Sequence, residues 1–285
     1  MQIKYLLLLL LLNCYVPQPI HAQAINTIPD HPKDKSYFLY EVKLIDEFIE
    51  RFNDAPSSYI RQQCMSLYGT DTMITRTRLL KTLLDKKQNW NADTTLFINE
   101  ITATQHPQYL NFTDSNWYAV ANCIFLYSGQ QVTVPIVLHI KTVNGASKWM
   151  IAGFGNSEVF RNTAPLPTSK NLFSSSGDFI PTSSYGTDFI VFNNIFTNKI
   201  TPGDYIEPAL LLTPRGRIII QLLQENKLRF QQVKNISYHF FQLENRIFTV
   251  EQFKRKETNT GWLISNIQKV NKKEKEERLQ KLLYP

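Results

Sequence analysis

Between residues 37 and 53 the apolar side chains Phe38, Val42, Ile45, Ile49 and Phe52 recur at intervals of four and three, with Glu41, Lys43, Asp46, Glu47 and Glu50 between them. That spacing predicts a helix with one buried side. Asp54-Ala55-Pro56-Ser57-Ser58 ends it, because proline lacks an amide donor and pushes the residue before it out of helical backbone angles. A short helix is expected over residues 59–67, leaving at Tyr68-Gly69-Thr70-Asp71. Another over residues 72–84 would bury Met73, Leu80 and Leu84, and a last turn, capped by Asp93, would carry Leu96 and Phe97.

The period then changes from helical to alternating. In residues 117–127, Trp117, Ala119, Ala121, Cys123, Phe125 and Tyr127 share one face and Tyr118, Val120, Ile124 and Leu126 the other. Both faces are mainly apolar, so this strand should lie inside the fold. Ser128-Gly129 turns the chain into a half-exposed strand, where Val132, Val134, Ile136, Leu138 and Ile140 alternate with Gln131, Thr133, His139 and Lys141. Asn144-Gly145 marks the next turn, before Lys148-Trp149-Met150-Ile151-Ala152-Gly153-Phe154.

The same plan returns in shorter form. Residues 161–185 carry Pro165, Pro167, Pro181 and Ser174-Ser175-Ser176-Gly177, which reads as a linker between two domains, 37–160 and 186–270. Helices are expected over residues 188–196 (Phe189, Phe192, Asn193, Phe196) and 217–225 (Ile218, Ile219, Leu222, Leu223). Strands follow over residues 228–233, 236–243, 246–253 and 262–267, the last in Gly261-Trp262-Leu263-Ile264, an echo of the Trp149 strand. Glu244-Asn245 suits a tight hairpin, since asparagine tolerates positive φ. Helices followed by an antiparallel meander, twice, give an α+β class. A charged tail, residues 271–285, holds Leu279, Leu282 and Leu283 at helical spacing, as a frayed helix or a small docking face.

Composition supports a folded, aromatic-rich chain: 43% of the 285 residues are hydrophobic and 19% charged, with 18 Phe and 13 Tyr. The net charge of +7 changes the picture little, because Lys and Arg are scattered apart from Lys254-Arg255-Lys256 and the tail. A nucleic-acid binder gathers them into a stripe with interleaved aromatics, so no nucleic-acid partner is expected.

The first 22 residues change it more. Lys4, the apolar run of residues 5–12 and Pro17-Gln18-Pro19-Ile20-His21-Ala22 read as an export signal, with residues 23–36 as a polar leader. The apolar run is shorter than the roughly 20 residues a membrane span needs, so no transmembrane segment is expected after cleavage. Leu11-Leu12-Asn13-Cys14 resembles a bacterial lipoprotein box, but Asn13 stands where a small residue is usual. Simple cleavage and a periplasmic or secreted protein are therefore preferred, with an outer-membrane lipoprotein anchored at Cys14 as the alternative. Of the remaining cysteines, Cys123 lies in a strand and reads as a buried free thiol, although export permits pairing with Cys64.

Residues 38–52, Trp117-Tyr118-Ala119, Lys148-Trp149-Met150-Ile151, Gly186-Thr187-Asp188-Phe189 and Gly261-Trp262-Leu263-Ile264 together resemble the NTF2-like, or cystatin-like, cone fold. The resemblance implies two tandem cone domains, helices packed on a curved antiparallel sheet, the second shortened by a helix. Similar folds serve as ketosteroid isomerase or dehydratase enzymes, as binding modules, and as periplasmic parts of secretion machines. The enzymes set an acid or a histidine with a tyrosine in the cone, and no residue here matches by motif.

Candidate chemistry is sparse. His139 shares its face with Gln131, Thr133 and Lys141, a solvent face, whereas Tyr238 and His239, amid Phe240 and Phe241, are the candidates for an acid/base pair in an apolar pocket. Trp117, Trp149 and Trp262 are the candidates for a ligand floor, against the plainer reading of core aromatics. The five histidines are isolated at metal-ligand spacing, so no metal and no cofactor are expected. The expectation is an exported, non-catalytic binding or interaction module of the bacterial cell envelope, acting on a protein or small ligand. An isomerase- or dehydratase-like enzyme and a structural part of a secretion assembly are the alternatives.

Overall fold

Helix α1, Ile45–Asn53, puts Ile45, Phe48, Ile49 and Phe52 in the core and carries Asp46 and Glu47 in its first turn, where carboxylates oppose the positive end of the helix dipole. It starts later than its periodicity predicts. Tyr37–Tyr40 is a 3-10 turn and Glu41–Val42 a two-residue strand, β1. Val42 is claimed by the sheet, where it pairs parallel with Gly261. A Cβ on Gly261, which has φ of 88°, would collide with the Val42 carbonyl oxygen, so glycine alone lets β1 close on its neighbour.

The computed structural model describes residues 37–90, 93–161, 179–197, 204–256 and 258–285. The export signal, the leader and Cys14 lie outside them. After α1 come α2, Tyr59–Tyr68, α3, Arg76–Leu83, and α4, Asp93–Ile101. The Thr75 hydroxyl caps α3 by accepting from the Arg78 amide, which starts the helix four residues later than expected and leaves Met73 exposed. Phe97 is buried as expected, whereas Leu96 faces out.

Three long strands follow: β2, Trp117–Tyr127, β3, Gln130–Val143, and β4, Ala146–Phe154. Their turns take positive φ at Ser128, Gly129, Asn144 and Gly145, as the turn residues require. The second half contributes β5, Ile180–Pro181, helices α5, Phe192–Thr197, α6, Pro208–Leu211, and α7, Pro214–Gln224, then β6, Leu228–Phe240, β7, Arg246–Phe253, β8, Thr260–Lys269, and helix α8, Lys272–Leu283. The helix expected over residues 188–196 is shorter, because Asp188 and Phe189 both take left-handed backbone angles, φ 49° and 55°, between the 3-10 turn Thr182–Thr187 and α5.

The eight strands form one mixed sheet, in the order β1-β8-β7-β6-β2-β3-β4-β5, where the sequence reading expects two separate ones. The reason lies in β2 and β6, which pair antiparallel along the whole of β2 and join the meander β2-β3-β4 to the meander β6-β7-β8. The described residues accordingly form one compact unit. Of the expected linker, residues 162–178 lie outside the described ones, while Ile180 and Pro181 pair with Trp149 and Lys148 at the sheet edge. The two strands expected over residues 228–233 and 236–243 are one strand, because register shifts opposite Asn122/Cys123 and Ile124/Phe125 break its alternation.

The halves are also interleaved through their helices. Phe48 and Phe52 of α1 and Phe97 of α4 pack on Phe248 of β7, with ring centroids 6.3, 5.6 and 6.0 Å apart, so helices of the first half cover strands of the second. Leu84 bridges to Ile264, Asp85 takes both guanidinium arms of Arg255, and Glu100 takes Arg246 at 2.8 and 3.0 Å. Conversely, Phe189 packs edge-on to Trp149 at 5.4 Å, Phe196 to Phe125 at 5.5 Å, and Arg215 donates to the Phe154 carbonyl at 2.8 Å. Helices of the second half thus cover strands of the first.

The opposite face of the sheet carries α8. A capping box at Asn271 and Glu274 starts it. Leu279, Leu282 and Leu283 pack against Tyr118, Val137, Phe241, Ile247 and Val270, and the Lys275 ammonium donates to the carbonyls of Phe241, Leu243 and Glu244. The tail is therefore an ordered helix docked on its own sheet.

Candidate functional site

Three of the four tryptophans, Trp117, Trp149 and Trp262, are linked through Tyr238 at the junction of the halves. Trp117 lies 5.0 Å from Trp149 and 5.7 Å from Tyr238, which lies 4.9 Å from Trp262. Trp117 and Trp149 are fully buried, and their indole N–H groups donate to the carbonyls of Phe112 and Thr182, each at 3.0 Å. They are core, with no open floor above them, which is the plainer of the two sequence readings. Trp262 differs, since its other side reaches a cleft described below.

Tyr238 and His239 do not come together. Adjacent residues of a strand point to opposite faces, so Tyr238 enters the helix-covered core and His239 faces the α8 side. The space beside Tyr238 is filled: Phe240 and Phe248 stack at 4.8 Å, and both are buried, as is Phe230. The Tyr238 hydroxyl is buried without a hydrogen-bond partner among the described residues, and burial, with the charges of Asp188 and Asp46 nearby, pushes its pKa up.

His239 shares its ring nitrogens with hydroxyls, Nε2 with Ser237 at 3.0 Å and Nδ1 with Thr249 at 3.3 Å. Burial lowers its pKa from 6.5 to about 4. The folded state then binds fewer protons than the unfolded one between those values, so the contribution of His239 to stability is present above about 6.5 and is lost as pH falls towards 4. His239→Gln should flatten that part of the urea-stability curve relative to the parent chain. Parallel curves for the two proteins would show that His239 titrates normally.

His139 is half-buried and not simply solvated. Its Nε2 lies 2.9 Å from Glu207, which also takes the Lys141 ammonium at 2.9 Å. Burial would raise the Glu207 carboxyl, but the hydrogen bonds from Lys141 and His139 outweigh it and hold the group below its usual value. Glu207 is held over the edge of β4 by Ile206, which bridges to Ile151. Nothing in the strand pattern points to that residue.

The sheet opens at one place that the sequence does not reveal. β6 and β7 pair from Ser237 opposite Glu251 to Phe240 opposite Phe248. Below Ser237 the strands part, because the register shift at Lys234 bends β6 towards β2, where Asn122 donates to Asn235 at 2.7 Å. Residues 228–236 have no strand partner on that side among the described residues, and Arg229, Gln231, Gln232, Lys234 and Asn235 are exposed. The parting leaves a cleft of about 420 Å³ lined by Trp262, Asp188, Lys234, Asn235, Glu251 and Lys254. Comparison with protein-family models, curated proteins and solved structures finds no match.

An apolar ring, two cations and two carboxylates surround the cleft, beside residues 233–237 of β6. The outer margins of the sheet are handled differently, being capped by the two-residue strands β1 and β5, one of them with Pro181. Cys64 and Cys123 are both free thiols and buried, and burial raises both pKa values, so neither is a nucleophile in waiting. Among the described residues no group of three or more His, Cys, Asp or Glu gathers to hold a metal, and no helix is long and apolar enough to cross a membrane.

Proposed function

We propose that this chain is an exported, non-catalytic binding module of the bacterial cell envelope, periplasmic or secreted, and that it takes an extended polypeptide segment along the free edge of β6. The observation that carries the reading is the parting of β6 from β7. In an antiparallel ladder alternate residues direct their N–H and C=O groups to one side and the other, so about half of those in residues 228–236 face the unpaired edge and can pair with an added strand, and residues 233–236 among them line the cleft. Lys234, Lys254, Glu251 and Asp188 would read the charge of the added segment, and Trp262 would seat one side chain. The separation of Tyr238 and His239 by the plane of the sheet counts against the isomerase- or dehydratase-like alternative, and the docking of Leu279, Leu282 and Leu283 on the chain's own sheet counts against a tail-held assembly part.

At the level of fold we propose an NTF2-like pair in which each half lends its helices to the other. Support comes from the repeated order, helices and then three long antiparallel strands, and from the smaller set of helices in the second half.

The test uses the chain expressed with its own leader and recovered from the envelope fraction. Intact mass should place the N-terminus near Gln23; a retained Met1 defeats export, and an acylated Cys14 makes the protein a lipoprotein. Binders selected from a displayed library of random 12-residue peptides should slow hydrogen exchange at alternate amides of residues 228–236, and Lys234→Glu should shift the selected peptides towards basic sequences. Protection confined to other strands, or no selected binder, defeats the peptide reading.

A further inference from the structure

On the face away from the core, a second cavity of about 360 Å³ lies between α8 and β6, β7 and β8. One end is apolar, formed by Phe241 and Ile247 below and Leu282 above. Beside it the floor turns polar, with Gln268 paired across β7 and β8 to Ile247 and Asn266 to Thr249, and the Gln268 Oε1 is buried with no hydrogen-bond partner among the described residues. Arg278 and Lys281, three residues apart on α8 and so on the same flank, overhang the cavity. Among the described residues neither makes an ion pair, while their neighbours Lys273 and Glu277 do. No carboxylate lines the cavity.

We propose that this cavity is a binding site for a small amphipathic anion, an apolar body bearing one carboxylate, distinct from the peptide cleft. The volume lies at the lower end of the range for small-molecule sites, roughly 300 to 1,000 Å³. The Arg278 guanidinium matches a carboxylate with two parallel N–H donors, and Lys281 adds a second positive charge. The Gln268 amide, turned about its last bond, presents its NH₂ to the same group and relieves the orphaned oxygen. His239, neutral and occupied by the Ser237 and Thr249 hydroxyls, leaves the floor uncharged, so the apolar body rests on Phe241 and Ile247.

Calorimetric titration of the mature chain with octanoate, with octanol (the same body without charge) and with inorganic phosphate (charge without a body) tests this. Octanoate should bind at least 10-fold more tightly than either. Arg278→Gln and Lys281→Gln should each weaken octanoate about 5- to 10-fold with an unchanged melting temperature, since both side chains are exposed. Hydrogen exchange on octanoate binding should slow at residues 247–249 and 266–268. Equal affinity for octanoate and octanol, undiminished octanoate binding in both variants, or protection elsewhere in the sheet overturns the proposal.

Discussion

A chain cut once at a protease site engineered between residues 161 and 179 should still migrate as a single species on gel filtration, whereas residues 37–161 and 179–285 produced separately should show no cooperative unfolding. The expectation follows from which half covers which. Alone, the first half keeps α1 and α4 but loses the rings of Phe240 and Phe248 that Phe48, Phe52 and Phe97 pack against. It also loses the whole β6 side of β2, the partners of Asp85 and Glu100, and the Phe189 ring over Trp149. Each large apolar side chain returned to water costs about 2 kcal/mol. Half a dozen of them, about 12 kcal/mol together, are as large as the roughly 5 to 15 kcal/mol by which a domain is stable at all. The cut chain differs because all of these contacts between the halves survive and only one covalent link is lost. A cooperative transition in either half alone, or separation of the cut halves without denaturant, would refute the interleaving.

How much of this the sequence discloses depends on the range of the interaction involved. β2 runs over the residues its alternation predicts, the turns at Ser128-Gly129 and Asn144-Gly145 fall where their chemistry places them, and Ile45, Ile49 and Phe52 of α1 are buried as spaced. These are local signals, settled within a few residues. The apolar character of both faces of β2 correctly marks an interior strand, but alternation does not name a partner. Pairing with β6 joins Trp117 to Phe240, far away along the chain, and the register shifts in β6 hide its length. The same shift creates the β6/β7 cleft, so the cleft is invisible in the sequence for the reason that the sheet looks divided there. Tyr238 and His239 are another matter, because strand parity alone puts neighbours on opposite faces. Val42 fits the helical spacing of α1 as well as any residue in it. Only the close approach at Gly261 claims it for the sheet.

Trp149→Ala should lower stability by about 3 to 5 kcal/mol in urea titration, the cost of emptying a core site that cannot collapse around the space. Trp149 is fully buried on β4, packs edge-on to Trp117 at 5.0 Å and Phe189 at 5.4 Å, and donates to the Thr182 carbonyl at 3.0 Å. Collapse is hindered because the walls come from different elements with other commitments: Trp117 is held by β6 on its far side, and Phe189 sits at a backbone angle, φ 55°, that a large side chain adopts only when its surroundings impose it. Trp149→Phe separates ring from donor. It keeps most of the packing but leaves the Thr182 carbonyl without its indole partner, and should cost about 1 to 3 kcal/mol. Since Thr182 follows β5 directly, that loss should appear first as faster hydrogen exchange at Ile180, the sheet edge that the second half supplies to the first. If Trp149→Ala cost under about 1 kcal/mol, the indole would be lining an open pocket, and a ligand floor would displace the packed core as the role of the tryptophans.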